Sequence, residues 1–302
     1  MSGTSDVHGE AVARRLRAEA DQVLEWHETG DLDAALVACD ALLTAVAAAD
    51  PADPVVRETH FFAVFERALL LTEQGELDAA AEAYAAAAAA PADLDDPDQR
   101  HEVAMALLNQ GICLDAMGDH QGALQAYDRL VVRFGTAADP VTRDQVVRGR
   151  VNRAAALLAL DELHEALTVA DVLVGDLDPS EALDAEQLAM TMRIRAAALR
   201  ALDRAGEAAD ALAELERYAT EDPAARTQFA SSQRERAEVL TELDRRTEAV
   251  AVLDATVRKL EDDPDPEVVE AREQLLVVEA DLLDELGEHD RARAVRAARG
   301  RR

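Results

Sequence analysis

Hydrophobic residues recur along this chain at helical spacing, in seven similar segments of about 43 residues. Each segment is predicted to form two helices joined by a turn, because a chain-reversing residue separates its two halves. One alanine in the second half of every segment keeps the same place. We name these the marker alanines: Ala35, Ala80, Ala123, Ala166, Ala208, Ala249 and Ala292. Such a repeat predicts stacked helical hairpins rather than one domain with a central core.

Other positions keep the same phase as the marker alanines. Five residues before each stands a residue that tolerates the left-handed backbone conformation: Gly30, Gly75, Gly118, Asp161, Asp203, Asp244 and Gly287. These residues are predicted to end the first helix of each hairpin. The nine prolines all lie between the predicted hairpins, where a missing backbone N–H interrupts no helix.

Large and small residues share one face of each predicted first helix. Nine residues before the marker alanines stand Trp26, Leu71, Leu114, Leu157, Leu199, Leu240 and Leu283. Twelve residues before them stand Val23, Ala68, Gly111, Ala154, Ala196, Ala237 and Ala280. The small residue lets the second helix approach, and the large one fills the space beside it. The pattern therefore predicts two antiparallel helices in close contact in each hairpin.

The third segment carries the most complete set of these residues: Asn109-Gln110-Gly111, Leu114, Gly118-Asp119, Ala123-Leu124, Tyr127-Asp128 and Arg133-Phe134-Gly135. With them the chain resembles the tetratricopeptide repeat family, in a bacterial variety of long period, over roughly residues 12–296. The resemblance implies an all-α fold, an α-solenoid of about seven helix-turn-helix repeats in a right-handed superhelix. It does not identify a partner, because one fold serves many functions.

The predicted domain organisation is one solenoid over residues 11–299. Its repeats are expected at residues 11–50, 55–95, 100–138, 143–178, 184–221, 226–262 and 267–299. Residues 1–10 show no periodicity and are predicted to be a disordered tail, and residues 300–302 form a basic end. No β-strand is expected, since the chain has no alternating apolar run.

The formal charge of −31 argues against partners that carry phosphate, because nucleic-acid binding depends on cationic groups that displace counterions. A membrane surface is disfavoured for the same reason, and no apolar stretch approaches the ~18 residues of a membrane span. No secretion signal is expected, because the first residues include no apolar segment after their charges. Cys39 and Cys113 lie in different repeats, which indicates free thiols and a reducing compartment. The predicted location is therefore the cytoplasm.

Residues with catalytic potential form no recognisable pattern. The seven histidines are scattered and are expected to face solvent. No histidine or cysteine pair has the spacing of metal ligands, and the glycines occur singly rather than in a phosphate-binding loop. We therefore predict a protein that is not an enzyme and that has no metal and no cofactor.

The candidate binding surface is the outward stripe of the first helices, which the family resemblance assigns to a concave groove. Its predicted residues change from apolar to basic along the chain: Phe62, Phe65, Leu69, Met105, Leu108, Ile112, Arg148, Asn152, Arg193, Arg200 and Arg234. Two interpretations are open for the apolar part of this row and two for its basic part. The apolar residues either bind a partner or belong to the core. The arginines either bind carboxylates of a ligand or pair with acidic residues of the chain itself.

A second column, which we name the arginine column, lies thirteen residues before the marker alanines: Gln22, Arg67, Gln110, Arg153, Arg195, Arg236 and Glu279. Stacking of the repeats would align these residues into a ladder. Pairing with Asp and Glu of an adjacent repeat is slightly favoured over ligand binding here, because a solenoid needs polar contacts between its repeats.

The functional hypothesis is an interaction scaffold that binds a peptide or protein segment with apolar and acidic residues. The first alternative is a ligand-responsive sensor that controls a separate effector enzyme or transcription factor. The second is self-association through the basic C-terminal helix, with Arg293, Arg296, Arg299, Arg301 and Arg302. A role with chaperone tails is less favoured, because Phe65 and Leu69 stand where that subgroup of the family uses polar side chains.

Overall fold

The computed structural model describes residues 3–90, 94–178, 180–215 and 223–299. These residues form 14 helices and no strand, which confirms the predicted all-α fold. The helices are α1 (Gly3–Glu28), α2 (Leu32–Ala47), α3 (Pro54–Glu73), α4 (Leu77–Ala89), α5 (Pro97–Ala116), α6 (His120–Phe134), α7 (Pro140–Ala159), α8 (Leu163–Asp176), α9 (Ala182–Ala201), α10 (Ala205–Glu214), α11 (Pro223–Glu242), α12 (Arg246–Lys259), α13 (Pro266–Glu285) and α14 (His289–Ala298). They make seven hairpins in the predicted order.

The chain divides into two compact units, residues 1–156 and 157–302, with the boundary inside α7. Within the first unit, helices α1 to α6 contact one another in succession, and α1 also contacts α3. Within the second unit, α8 to α14 follow the same succession, with added contacts of α9 with α11 and of α11 with α13. Each unit is thus a stack in which a hairpin contacts its neighbours in sequence.

The turns inside the hairpins have the backbone conformation that the sequence predicts. Gly30, Gly75, Gly118 and Gly287 have φ angles of 77–82°, and Asp161, Asp203 and Asp244 have φ angles of 60–63°. In the second hairpin, for example, the N–H of Glu76 donates to the carbonyl of Leu71 at 2.9 Å. This bond closes the end of the first helix and directs the chain into the second.

Five prolines correct the prediction that all nine lie between hairpins. Pro54, Pro97, Pro140, Pro223 and Pro266 are the first residues of first helices. A proline fits there because the first helical N–H has no partner within the helix and the ring presets the helical φ angle. The preceding aspartate caps several of these helices. Asp53 accepts a hydrogen bond from the N–H of Val55 at 2.8 Å.

The core lies between the two helices of each hairpin. All seven marker alanines are fully buried, and the small residues that face them are buried as well. Among the large residues, Trp26 is 39% exposed and Leu114 is half-buried, whereas the other five are buried. Cys39 and Cys113 are buried free thiols, as expected.

Helix α1 begins at Gly3, ahead of the predicted start of the first repeat at residue 11. It therefore includes residues of the segment for which the sequence predicts a disordered tail. Residues 3–10 contain no proline, so nothing in them stops the helix from extending toward the N-terminus. The basic end at residues 300–302 lies outside the described residues.

Candidate functional site: the first-helix surfaces

The apolar residues predicted on the first helices of the first unit are mostly held in its cores. Leu108 is only 3% exposed, and Phe62, Phe65 and Leu69 are half-buried against the core clusters. The ring of Phe65 lies 5.6 Å from that of Tyr84, edge to face. Met105 is half-buried. Ile112, at 44% exposure, is the most accessible of the six predicted apolar residues.

Asn152 contacts the preceding hairpin through a buried tyrosine. Burial raises the pKa of Tyr127, and a hydrogen bond with the Asn152 side chain opposes that rise. The same arrangement occurs one hairpin earlier, where Tyr84 is hydrogen-bonded with Thr72 and Asn109. Each tyrosine follows its marker alanine by four residues, and each asparagine precedes the next marker alanine by fourteen. The asparagines therefore satisfy buried phenol groups between hairpins.

The four predicted basic residues all contact carboxylates of the chain. Arg193 donates from Nε to Glu235 at 2.9 Å and from Nη1 to Gln228 at 3.1 Å. Arg200 donates from Nε to Glu242 at 2.9 Å. These partners lie on the next first helix, so both arginines connect α9 with α11.

Arg148 and Arg234 have looser contacts, each with a carboxylate on its own helix. Arg148 lies 3.1 Å from Asp144, and Arg234 lies 4.0 Å from Glu238. Their side chains are 43% and 41% exposed. Because Arg234 has the longer contact, its guanidinium is the one that a ligand would displace from its carboxylate at least cost.

The arginine column pairs with aspartates on the second helix of the preceding hairpin. Three such bonds run from Nε to the carboxylate: Arg67–Asp40 at 2.9 Å, Arg153–Asp128 at 2.6 Å and Arg195–Asp171 at 2.6 Å. Each aspartate follows its marker alanine by five residues, and we name this set the facing column. Pairing within the chain, one of the two interpretations open from the sequence, is thus observed at these three rungs.

Three rungs of the ladder depart from this rule, because the arginine column or the facing column holds another residue there. Gln110 stands opposite the position of Ala85 and accepts instead from Arg129 of its own hairpin, at 2.5 Å. Arg236 stands opposite the position of Ala213. Glu279 stands opposite Asp254, and burial together with that carboxylate raises its pKa to about 7.

His27 contradicts the expectation that the histidines face solvent, and nothing in the spacing of the chain identified it. Its Nδ1 contacts Glu66 and its Nε2 contacts Glu73 at 2.9 Å, so the ring joins α1 to α3. The hydrogen bond with Glu73 is the main cause of a raised pKa, and the Glu66 carboxylate adds to it. Two carboxylates at two ring nitrogens favour the doubly protonated imidazolium.

Two cavities lie on surfaces that involve second helices, and the sequence predicted neither. One, of about 440 Å³, is bordered in the first unit by Ala88, Leu107, Arg129, Val132 and Arg133. The other, of about 190 Å³, lies in the second unit between α11 and α12. Val132, which borders the first of these cavities, is 87% exposed, the highest value among the exposed large apolar residues described.

Within the described residues, no group of His, Cys, Asp and Glu is placed to hold a metal ion. None of the helices described is both long enough and apolar enough to span a bilayer. Burial raises the pKa of Cys39 to about 12 and also raises that of Cys113, so both thiols stay protonated and unreactive near neutral pH.

The basic residues of the C-terminal helix pair with acidic residues of the same hairpin. Arg296 contacts Asp281 at 2.9 Å and Asp284 at 2.7 Å. Arg293 contacts Asp290, and Arg299 lies 3.8 Å from Glu273. Arg301 and Arg302 lie outside the described residues. The cations available for self-association through this helix are therefore partly neutralised within the hairpin.

Solved structures of helical-repeat proteins are similar to this chain over nearly its whole length. A tetratricopeptide repeat protein from Parabacteroides merdae matches 95% of this chain and 94% of its own, with a TM-score of 0.56 and 15% identity. The apo form of the quorum sensor NprR from B. thuringiensis matches 98% of this chain and 92% of its own, at 0.57 and 12%. The apo form of RapI matches 94% of this chain and 75% of its own, at 0.59 and 11%. No family model matches the chain, and no curated protein matches it in sequence. Similarity at these identities bears on the fold.

Proposed function

We propose, from the premise that this chain has the tetratricopeptide repeat fold, that it is a non-catalytic scaffold for a peptide or protein segment with apolar and acidic residues. The observation that carries the proposal is the partly accessible apolar row on the first helices of the first unit, with Ile112 at its most exposed point. Buried and protonated thiols and the lack of a metal cluster in the described residues fit a role without chemistry. The proposed location is the cytoplasm.

The two kinds of contact have different roles in this proposal. A well-buried apolar side chain contributes about 1.5–3 kcal/mol, whereas an exposed ion pair contributes about 0.2–1 kcal/mol. Apolar residues of the partner would contact Ile112, Met105 and Phe65 and supply most of the affinity. Its acidic residues would contribute less to the affinity and set the orientation. The partner is neither a nucleic acid nor a membrane, since the net charge of −31 repels both.

Affinity capture from the native lysate tests this proposal with two matched substitutions. Ile112→Asp places a charge on the first-helix row, and Val132→Asp places the same charge on the exposed face of a second helix. We expect the first variant to lose a protein that the wild type and the second variant both retain. An unchanged captured set for Ile112→Asp would refute the proposal, and a loss confined to Val132→Asp would move the binding surface to the second helices.

A second candidate is a sensor that changes shape on ligand binding and controls a separate effector. Its support is the similarity in fold to the quorum sensor NprR. Solution scattering with the captured partner separates the two candidates. A regulator should change its radius of gyration on binding beyond the mass of the ligand, whereas a scaffold should keep the scattering profile of its own helices.

A further inference from the structure

Arg236 is the arginine of the ladder that has no aspartate opposite it. At three other rungs, an aspartate of the facing column accepts from the arginine Nε. The same place in the preceding hairpin holds Ala213, whose side chain offers no acceptor. The Nε of Arg236 is buried and has no hydrogen-bond partner among the described residues. A buried guanidinium N–H without an acceptor is costly and indicates a partner from outside this arrangement.

Neighbouring residues hold the Arg236 side chain in place. Gln233 is only 2% exposed, and its Nε2 donates to the carbonyl of Leu212 at 3.2 Å. Its Oε1 accepts from Nη1 of Arg236 at 3.4 Å. Gln233 thus connects α11 to the end of α10 and orients the guanidinium of Arg236. The guanidinium is oriented before any ligand arrives, which lowers the entropic cost of binding.

Arg236 borders the 190 Å³ cavity between α11 and α12. Phe229, Val252 and Ala255 form its apolar wall, and Lys259 lies at its edge with Nζ 4.7 Å from the Phe229 ring centre. Lys259 is the only lysine in the chain. Among the described residues that line the cavity, Glu248 is the one carboxylate, and it already accepts three hydrogen bonds from Arg245, at 2.7–3.0 Å. The cavity therefore has two cations and an apolar wall.

We propose that this cavity binds the carboxylate of an aspartate or glutamate side chain from the partner peptide, with an adjacent apolar side chain against Phe229. The inference rests on the proposed function and assigns the acidic contact to Arg236 rather than to Arg193 and Arg200, which already pair between helices. The volume equals that of roughly six water molecules, enough for one acidic side chain and part of its neighbour.

The single lysine gives a direct probe. Reductive methylation with ¹³C-formaldehyde keeps the charge of Lys259 and yields one dimethyl-lysine NMR signal, distinct from the labelled N-terminus. The probe ligand is a dipeptide blocked at both ends, acetyl-Leu-Glu amide, and acetyl-Leu-Gln amide is its neutral control. We expect a saturable shift with the acidic dipeptide alone. Arg236→Gln should weaken binding about tenfold or more, because it removes a charge-assisted hydrogen bond.

Two further variants control the experiment. Arg195→Gln removes an arginine that is already paired and should leave the affinity for the dipeptide unchanged. Ala213→Asp restores the missing acid of the facing column and should abolish dipeptide binding. Ala213→Asp should also change Tm more favourably in the wild-type background than in the Arg236→Gln background. The difference between the two changes measures the pairing of Asp at position 213 with Arg236.

The inference is overturned by no saturable shift in the wild type, by an equal shift with the neutral dipeptide, or by equal affinity in Arg236→Gln. Inorganic phosphate that binds as tightly as the dipeptide would also overturn it, since the site would then take any anion. These outcomes are separate from the capture experiment. If the dipeptide binds but Ile112→Asp captures the same proteins as the wild type, the scaffold proposal alone is refuted. If Ile112→Asp loses a captured protein but the dipeptide does not bind, the cavity proposal alone is refuted.

Discussion

Glu279 occupies the place in the last hairpin where three other hairpins have a paired arginine. It is 3% exposed and faces Asp254, and burial together with this like charge raises its pKa to about 7. The ordinary value is 4.5, so the folded protein holds this proton more tightly than the unfolded chain does. The contribution of Glu279 to stability is therefore greatest below pH 4.5 and decreases as the pH rises to 7.

Glu279→Gln should stabilise the protein at alkaline pH, because it removes a charge that folding buries. We expect the free energy of unfolding at pH ~8 to rise by on the order of 2 kcal/mol, and to change little at pH ~4. Urea denaturation at the two pH values measures the difference. Glu270→Gln, on the exposed face of the same helix, is the control and should have no effect. An equal effect of Glu279→Gln at both pH values would contradict the assigned pKa.

Close packing between the two helices of a hairpin sets limits on side-chain size at the element scale. In the third hairpin, Gly111 lies so close to Tyr127 that an added Cβ would come within 2.7 Å of the ring atom Cδ1. The fifth and sixth hairpins combine an alanine at this place with a leucine opposite, as in Ala196 with Leu212. The close approach at Gly111 is particular to the third hairpin, since the second hairpin combines Ala68 with Tyr84 at the same places.

Gly111→Ala should lower the free energy of unfolding by about 1–3 kcal/mol, because overpacking outweighs a helix-propensity gain of about 1 kcal/mol. Adding Tyr127→Leu should recover much of that loss, since leucine leaves room for the methyl group. Tyr127→Leu alone is the control and should be destabilising, because it leaves a cavity. Chemical denaturation of all three variants gives the coupling energy. Additive effects would mean that the two residues do not compete for space.

Features that depend on nearby residues were predictable from the sequence, whereas the particular partners of contacts between hairpins were not. The turns at Gly118 and Asp161 follow from local backbone preference, and the marker alanines follow from helix spacing. The acceptors of Arg193 and Arg200 lie 42 residues away on the next first helix. Their identification requires the offset between stacked helices, which no local pattern contains. The sequence did not single out Arg236 for the same reason, because the residue opposite it, Ala213, belongs to another hairpin.

At the scale of the whole molecule, two opposing electrostatic effects depend on salt. The chain carries 62 acidic and 31 basic residues, so many carboxylates have no cation to neutralise them. Their mutual repulsion destabilises the folded state, and salt reduces it because the Debye length falls from about 10 Å at 0.1 M to about 3 Å at 1 M. Salt also weakens the surface ion pairs, but each of these contributes only about 0–1 kcal/mol.

Repulsion should therefore dominate at alkaline pH, where Glu279 is ionised. A rising pH also acts against the proton on His27 that both of its glutamates favour. The raised pKa of His27 gives stability that is lost as the pH rises through that pKa. Loss of a proton from His27 and loss of a proton from Glu279 therefore both lower the stability of the folded protein. We expect Tm at pH ~8 to rise by several degrees as NaCl increases from about 0.05 to 0.5 M. The rise should be smaller at pH ~5, where part of the carboxylate charge is removed. A fall in Tm with salt at pH ~8 would mean that the ion pairs between hairpins, such as Arg193–Glu235, outweigh the repulsion.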